Sequence, residues 1–282
     1  MNLKKTILAA AVVAGLTAST AANAVLTNWY LDQDGAGAGS ATNIISFLDI
    51  TGGALISITP TPTTGNPAAF SFTEWGGVTS KSHDFGIDYA DNQTAQLSSL
   101  FKATGNGTFG GSASFSGGIL ELYSLGLGAW GTAAGTFGVT GTPIATFEIT
   151  GGGLQVNPDG TPIANGQVQI VAKATSMTAG YFFEDAAKTK DLSSLVSAPD
   201  GLLFGFATTN ANYIPNGQLN PILASELLDY SGIPGGVVND PTAGRFYVSN
   251  NGQYRLEVPE PSTLALAGLA LVGLAARRRK NA

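Results

Sequence analysis

The hydrophobic residues in the central part of the chain recur in short runs that alternate with polar positions. Alternation over roughly four to eight residues is typical of a strand with one buried face. Clusters of Gly, Asn, Thr and Pro separate the runs, and these residues favour turns. Six strands are predicted in this way: residues 44–50, 54–58, 69–73, 114–116, 119–125 and 144–149.

Two hairpins are predicted from turn-forming residues between neighbouring runs. In the first, residues 154–156 and 167–171 flank a connection rich in Gly, Pro and Asn. In the second, residues 245–249 and 253–258 flank Asn250-Asn251-Gly252, and Asn-Gly between alternating runs is the strongest short-range hairpin signal. Strands that recur about every ten residues predict an all-β fold, here an antiparallel β-sandwich of jelly-roll-like form.

Helix signals are few. Asn220 is a predicted N-cap, with Pro221 at the first helical position and Gly232 beyond the end. A single helical turn is also predicted over residues 191–196. The sequence therefore predicts one or two short helices beside the sheet. The apolar residues that line one face of the longer helix are Ile222, Leu223, Leu227 and Leu228.

The N-terminal end has the pattern of an export signal. A short basic region with Lys4 and Lys5 precedes an apolar core over residues 7–16, and Ala22-Asn23-Ala24 forms a small-residue cleavage site. We expect residues 1–24 to be a signal peptide cleaved after Ala24 during export by the Sec machinery. The alternative, a permanent N-terminal membrane helix, is disfavoured by the short apolar core.

The C-terminal end, residues 259–282, has three parts in a fixed order. Pro259, Glu260 and Pro261 come first, and two prolines separated by one residue cannot continue a helix or an inner strand. Residues 264–276 are uncharged and predict a membrane helix, although thirteen residues reach only ~20 Å against a hydrocarbon core of ~30 Å. The four cations that follow hold the end on the cytoplasmic side: Arg277, Arg278, Arg279 and Lys280.

This arrangement resembles the PEP-CTERM sorting signal of Gram-negative bacteria. In that family a Pro-Glu-Pro motif, a short membrane helix and an Arg-rich end are read by the exosortase, an integral-membrane cysteine protease. The resemblance implies an exosortase partner, transient residence in the inner membrane, and delivery to the cell surface or extracellular matrix. An ordinary membrane anchor that no enzyme processes is the alternative.

A second resemblance reaches the body of the chain. Residues 191–195, 202–210 and 246–250 look similar to segments of the flocculation-associated PEP-CTERM proteins. That family is implicated in holding cells together in flocs with extracellular polysaccharide. The resemblance implies exopolysaccharide as a partner and brings no catalytic residues with it.

Between the two targeting segments, residues 25–258 are long enough for one large extracytoplasmic domain. They carry 18 acidic and seven basic side chains, a net charge of −11, which argues against a nucleic-acid partner because phosphate binding depends on basic patches. The chain has no cysteine, and this excludes thiol catalysis, cysteine-based zinc sites and iron–sulfur clusters. Nothing in the sequence predicts a cofactor.

Candidate catalytic groups are sparse. His83, the only histidine, stands beside Asp84, but no Gly-x-Ser-x-Gly elbow supplies a nucleophile for a Ser-His-Asp site. A carboxylate pair for glycoside hydrolysis would be Asp84 with Asp88, on one strand face, or Glu184 with Asp185. Solvated acids on a strand face or in a loop are the favoured interpretation of both pairs.

Residues 32–35, Asp-Gln-Asp-Gly, begin like a calcium-binding loop. Ala36 then stands where a third oxygen ligand belongs, so the motif is incomplete. A looser calcium site completed by distant carboxylates stays open as an alternative, but the sequence assigns no metal ligand.

Two classes of function follow from these observations. The first is a non-enzymatic surface or matrix protein that contributes to biofilm or floc. The second is a secreted carbohydrate-binding module or carbohydrate-active enzyme with the same sorting tail. Trp29, Trp75 and Trp130 are candidates for stacking on sugars in either case, with burial in the core as the alternative.

Overall fold

The computed structural model describes residues 23–35, 41–89, 94–132, 141–163, 166–197, 204–215, 220–234 and 239–259. The strands in these ranges are β1 (Asn23–Val25), β2 (Trp29–Leu31), β3 (Thr42–Ile44), β4 (Leu48–Pro60), β5 (Ala69–His83), β6 (Ile87–Asp88), β7 (Ala95–Thr108), β8 (Ser112–Gly126), β9 (Thr142–Gln155), β10 (Gly166–Met177), β11 (Phe182–Phe183), β12 (Phe204–Ile214) and β13 (Arg245–Pro259). The helices are α1 (Ser193–Ser197), α2 (Pro221–Ser231) and a 3-10 helix (Pro241–Ala243).

The chain divides into two compact units. One is Leu26–Leu256, and the other comprises Met1–Val25 with Glu257–Ala282. The described part of the second unit is β1 paired antiparallel with the last three residues of β13. The first unit contains the main sheet, the helices and the groups whose chemistry is considered below.

The main sheet is antiparallel and closes on itself. Its strands follow the order β4, β5, β7, β8, β9, β10, β12, β13, so neighbours in the sheet are neighbours among the long strands of the chain. The ring closes because β13 also pairs with β4, from Arg245 opposite Ser57 to Tyr254 opposite Leu48. Closure gives every long strand a partner on both sides and leaves none of them as an exposed edge.

The predicted all-β, antiparallel class is confirmed. The strand order differs from a jelly-roll-like form, in which long connections return strands to non-adjacent places. Here short connections keep consecutive long strands side by side, as is usual for sequential strands.

Several predicted strands are parts of longer ones. Residues 114–116 and 119–125 belong to the single strand β8, and residues 69–73 are the first third of β5. Strand β7 is not among the predicted strands, because glycine and polar residues interrupt its alternation. Those glycines have a packing reason: a Cβ at Gly105 would collide with the Ser114 carbonyl oxygen and the Phe72 ring.

The predicted C-terminal hairpin is wrong. β13 runs without a turn through Asn250-Asn251-Gly252, which pair with Gly52, Thr51 and Ile50 of β4. Gly252 serves close packing instead of a turn, since a Cβ there would meet the backbone of Thr208 in β12. Extended partners on both sides outweigh the local turn preference of Asn-Gly. The other predicted hairpin, residues 154–156 with 167–171, is confirmed in part: β9 and β10 pair antiparallel, but the pairing starts with Gln169 opposite Gly153, just before residues 154–156.

Helix α2 forms as predicted. The Asn220 side chain accepts a hydrogen bond from the backbone N–H of Ile222 at 2.8 Å, and Gly232 ends the helix with a φ of 66°. Leu223 and Leu227 are its buried residues and pack on the outer face of the closed sheet. We call this packing the outer cluster, which consists of Leu55, Trp75, Leu223, Leu227 and Tyr247.

A second, three-stranded sheet orders β3, β2 and β11. Trp29, Leu31, Ile44, Phe182 and Leu192 are fully buried around it. The predicted turn at residues 191–196 is confirmed as α1, where the Asp191 carboxylate accepts the backbone N–H of Ser193 at 2.8 Å.

Candidate functional site

The sorting tail begins where β13 ends. Pro259, the last residue of β13, pairs with Asn23, and Glu257 pairs with Val25. A terminal strand position suits proline, which donates no hydrogen bond to the ladder. Ala24 pairs with Val258 and Val25 with Glu257, so the residues on both sides of the predicted cleavage bond lie beside the end of β13.

The other residues predicted for sorting and cleavage lie outside the described residues. They are Ala22, Glu260, Pro261, Arg277, Arg278, Arg279 and Lys280, together with the apolar segment 264–276. Among the helices that the structure does describe, none has the length and apolar character needed to span a membrane.

His83 and Asp84, the predicted catalytic candidates, are both buried at the end of β5. His83 Nδ1 lies 2.8 Å from Asp84 Oδ2. Asp84 also accepts backbone N–H groups from the segment between β3 and β4: Ile45 at 2.6 Å, Ser46 at 2.8 Å and Phe47 at 3.1 Å. These bonds bend the segment, so the predicted strand 44–50 is wrong; it is split into the end of β3 and the start of β4.

Asp84 is thereby occupied in holding the fold. Burial alone would raise the pKa of its carboxyl, but the hydrogen bonds from His83 and from the N–H groups of Ile45, Phe47 and Ser46 outweigh it and lower the pKa. A carboxylate with a lowered pKa and filled oxygens is a poor proton donor. Its hydrogen bonds join the end of β5 to the backbone of the β3–β4 segment, and we call this arrangement the Asp84 clamp.

Replacing Asp84 by Asn tests this structural assignment. The amide has one acceptor oxygen in place of two, so at least one of the three backbone N–H groups loses its partner. Because an unsatisfied buried N–H costs about 1–3 kcal/mol, we expect the free energy of unfolding to fall by that amount in urea titrations. Asp88→Asn, at an exposed position of β6, is the matched control. Equal stability of the two variants would contradict the clamp.

The two predicted carboxylate pairs do not form catalytic arrangements. Asp84 lies in the turn after β5, whereas Asp88 is exposed in β6 opposite Ser82, so they do not share a strand face. Asp185 accepts the backbone N–H groups of Thr189 at 3.1 Å and Lys190 at 2.9 Å, and these hydrogen bonds lower its pKa. Its neighbour Glu184 faces Lys190, whose Nζ is 3.8 Å away.

The calcium-like loop holds a protein cation. Lys188 Nζ lies 2.5 Å from Asp32 Oδ2, and the Asp32 side chain is fully buried. The other Asp32 oxygen accepts the N–H of Gly35 at 3.2 Å, while Asp34 accepts the hydroxyl of Thr94 at 3.0 Å. Across the described ranges, no group of three or more His, Cys, Asp or Glu side chains is placed to hold a metal ion.

The three tryptophans are core residues to different degrees. Trp29 is fully buried and stacks on Phe182, and Trp75 is buried in the outer cluster. Trp130 is half-buried and packs against the same cluster. For Trp29 and Trp75 the structure therefore supports burial in the core, which the sequence left as the alternative to stacking on sugars.

The closed sheet contains a buried acid that the sequence analysis missed. Glu74 points into the interior, where its carboxylate is hydrogen-bonded by the Asn250 side chain, and burial raises its pKa from 4.5 to about 7. It lines a cavity of about 40 Å³ with mostly apolar walls. The hydroxyl of Tyr254, another lining residue, has no hydrogen-bond partner among the described residues. Glu74 follows Phe70 and Phe72 at every second position of β5, so the three side chains lie on the same face of the strand. This spacing could have predicted from the sequence that Glu74 points inward.

A cavity of this size has room for one to a few water molecules, since one water needs roughly 10–15 Å³ on the same measure. It is too small for a sugar or a drug-sized ligand, whose sites usually measure about 300–1,000 Å³. The interior cavity therefore has no room for such a ligand, and candidate ligand contacts are considered on the outer surface.

The outer face carries a groove of about 260 Å³ beside α2. It combines both signs of charge with an aromatic ring and an apolar floor. Its lining residues are Lys102, Thr104, Gly118, Ile119, Glu121 and Tyr230. Lys102 Nζ lies 5.9 Å from the centre of the Trp75 ring, so the outer cluster supports this cation from below.

Glu121 is oriented by a tyrosine next to the groove. The hydroxyl of Tyr123 donates to Glu121 Oε2 at 3.1 Å. Burial and the neighbouring Glu121 carboxylate raise the pKa of Tyr123 to about 12 and also raise the pKa of Tyr230. Both phenols therefore stay protonated at neutral pH and can donate hydrogen bonds.

Comparison with known proteins identifies the C-terminal end. Residues 257–280 match the PEP-CTERM protein-sorting motif, so the chain carries a PEP-CTERM sorting domain there. The motif supports export to the cell envelope or surface and implies exosortase as the processing partner. Searches of curated proteins and of solved structures found no match for the chain.

Proposed function

We propose that the protein is a non-enzymatic component of the cell surface or extracellular matrix of a Gram-negative bacterium. In this proposal the Sec machinery exports it, cleavage after Ala24 releases the N-terminus, and residues 264–276 hold it in the inner membrane until exosortase acts. The sorting motif at residues 257–280 is the observation that carries the proposal. A protein delivered in this way acts outside the cell, where biofilm and floc are built.

The positions of the acidic residues support a binding role over a catalytic one. Asp84, Asp185 and Asp32, which were candidates for chemistry, are engaged by backbone N–H groups or by Lys188. Glu74 has a raised pKa, as general acids often do, but it faces a cavity of about 40 Å³, which is too small for a sugar. A substrate has no room beside it.

The groove beside α2 is the proposed contact with exopolysaccharide. Sugar rings offer hydroxyl groups and apolar faces, which are matched by Glu121, Lys102 and the Tyr230 ring. One such contact is weak, but many copies on one cell multiply it through effective concentration. This groove also favours the second candidate function, a secreted carbohydrate-binding module.

We further propose that the closed sheet is flattened into two facing layers, as in a β-sandwich. Cavity-lining residues come from β4, β5, β7, β8, β10, β12 and β13, so side chains from opposite parts of the ring meet inside. Two apposed layers about 10 Å apart would explain why the remaining cavity is so small.

Deletion and groove variants test the matrix function. We expect deletion of the protein to weaken cell aggregation while polysaccharide synthesis continues. Complementation with a Lys102→Ala/Tyr230→Ala variant should restore less aggregation than wild type, and purified variant should bind isolated exopolysaccharide about three- to tenfold more weakly. Lys81→Ala, another exposed lysine of the neighbouring strand, is the control.

The opposite results would favour the enzyme alternative. Unchanged aggregation after deletion, together with cleavage of a polysaccharide by the purified protein, would overturn the matrix proposal. Loss of that cleavage in an Asp84→Asn/Asp88→Asn variant that still folds would assign catalysis to the acidic pair that the sequence disfavoured as a catalytic candidate.

A further inference from the structure

The turn between β5 and β6 presents exposed apolar side chains. Phe85 at its tip is 85% exposed, and Ile45 and Ile87 beside it are each 48% exposed. Ile87 pairs with His83, and the Ile45 N–H binds Asp84, so the three residues surround one turn. Single exposed apolar residues are ordinary, but adjacent ones mark contact surfaces. We call these three residues the Phe85 tip.

The backbone of the Phe85 tip is held in an unfavourable conformation. Asp84 has a φ of 46° and Phe85 a φ of 69°, in the left-handed region that bulky residues seldom occupy. The turn is clamped from both sides, by the Asp84 carboxylate and by Asp49 Oδ2, which accepts the Gly86 N–H at 2.8 Å. The Phe85 ring touches the Phe47 ring edge-on at 4.9 Å between centres. The fold thus accepts strain to keep an aromatic ring projecting into solvent.

The Phe85 tip lies at the end of the closed sheet toward which β13 runs. His83 pairs with Leu48, and Leu48 pairs with Tyr254. Leu127, 65% exposed, follows the last residue of β8 at the same end. The apolar segment of the sorting tail starts at residue 264, ten residues after Tyr254, and ten extended residues span at most about 36 Å. A membrane that holds the tail is therefore within reach of this end.

We propose that the Phe85 tip inserts into the headgroup layer of the membrane that holds the sorting tail. The inference rests on the proposed membrane residence of residues 264–276. The charged groups around the tip are Asp49, Asp84, Asp88 and Lys81, with His83 bound to Asp84, so the local balance is acidic. Anionic lipids repel these carboxylates, so we assign the Phe85 tip to a membrane surface of zwitterionic lipids.

Insertion of the Phe85 tip would strengthen the attachment of a protein whose membrane helix is short. Residues 264–276 are shorter than the hydrocarbon core, and a second apolar contact adds to the hold of a weak first one.

The experiment uses the absence of cysteine in the full-length chain. A fluorophore on Asp88→Cys reports the Phe85 tip, one on Leu269→Cys reports the tail, and one on Ser112→Cys reports the opposite end of the closed sheet. Each protein is reconstituted in two sets of phosphatidylcholine vesicles, whose lipids carry the quencher either at the headgroup, to report position 88, or on the acyl chains, to report position 269. We expect quenching at positions 88 and 269 but not at position 112.

Phe85→Asn then removes the ring while asparagine tolerates the left-handed conformation. We expect quenching at position 88 to fall about three- to tenfold, as suits loss of an aromatic ring that is only partly buried in the headgroup layer, with an unchanged melting temperature. Ile163→Ser, an exposed apolar residue at the opposite end, is the matched control and should leave quenching unchanged.

The outcomes separate this inference from the proposed function. Quenching at position 269 with none at position 88 would overturn the inference and leave tail insertion standing. No quenching at position 269 would overturn membrane residence of the tail, and the inference with it. Stronger quenching at position 88 in phosphatidylglycerol vesicles at low salt would overturn the assignment to zwitterionic lipid.

Discussion

Replacement of both prolines of the sorting motif, Pro259→Ala with Pro261→Ala, should leave the protein in the cell membrane as an unprocessed precursor. Each proline fixes φ near −65° and withholds an N–H, which keeps the segment extended. Alanine restores both N–H groups and has the highest helix propensity, so the segment can join the apolar helix that follows. A protease that reads an extended motif then loses its substrate. Intact-mass analysis of membrane and medium fractions measures the result, because it shows both chain ends.

The control for this prediction changes two prolines elsewhere. Pro62→Ala with Pro67→Ala alters exposed positions in the loop after β4 and should leave processing normal. Normal surface delivery of the Pro259/Pro261 variant, with the tail removed as in wild type, would contradict the prediction. The Pro-Glu-Pro segment would then be a plain spacer before a membrane anchor.

Replacement of Glu74 by Gln should stabilise the protein at alkaline pH and remove most of a pH dependence of its stability. Burial raises the pKa of the carboxyl from 4.5 to about 7 in the folded state. Between these two pH values the folded protein holds a proton that the unfolded chain releases. The stability that protonated Glu74 contributes is therefore complete below about pH 4.5 and declines as the pH rises to about 7.

The size of the effect follows from the two pKa values. Each pH unit between them is worth about 1.4 kcal/mol, so the free energy of unfolding should fall by about 3 kcal/mol and stay constant above pH 7. A Gln side chain carries no charge and can still bond to Asn250. We expect the variant to match wild type at pH 4 and to exceed its stability by about 3 kcal/mol at pH 8, in urea titrations.

Glu148→Gln is the matched control, since it removes an exposed carboxylate from β9 of the same sheet. Its stability should follow that of wild type at every pH. A Glu74→Gln variant whose advantage over wild type is the same at pH 4 and pH 8 would contradict the prediction. It would mean that water in the interior cavity solvates the carboxylate well enough to keep its pKa ordinary.

The elements predictable from the sequence are those that local chemistry determines. Alternating apolar residues determined the all-β antiparallel class, and Asn220, Pro221 and Gly232 determined helix α2, because a cap acts within one helical turn. The sorting motif is likewise linear: proline, apolar residues and arginine act in sequence order, so its identity needs no fold. The roles of residues 264–276 and of Arg277 to Lys280 remain predictions of that linear pattern.

The tertiary structure decided what depends on partners distant in the chain. Pairing with β4 and β12 kept Asn250-Asn251-Gly252 extended, and closure of the sheet placed Glu74 against Asn250, 176 positions away. Pairing of β7 with β8 and packing of α2 on the sheet likewise joined Lys102, Glu121 and Tyr230 in one groove. Asp84 became a clamp because folding brought the β3–β4 segment to it, and that clamp helps keep Phe85 exposed. The physical reason is common to all four: hydrogen bonding and burial between remote segments override local preference, and the sequence pattern does not record which segments meet.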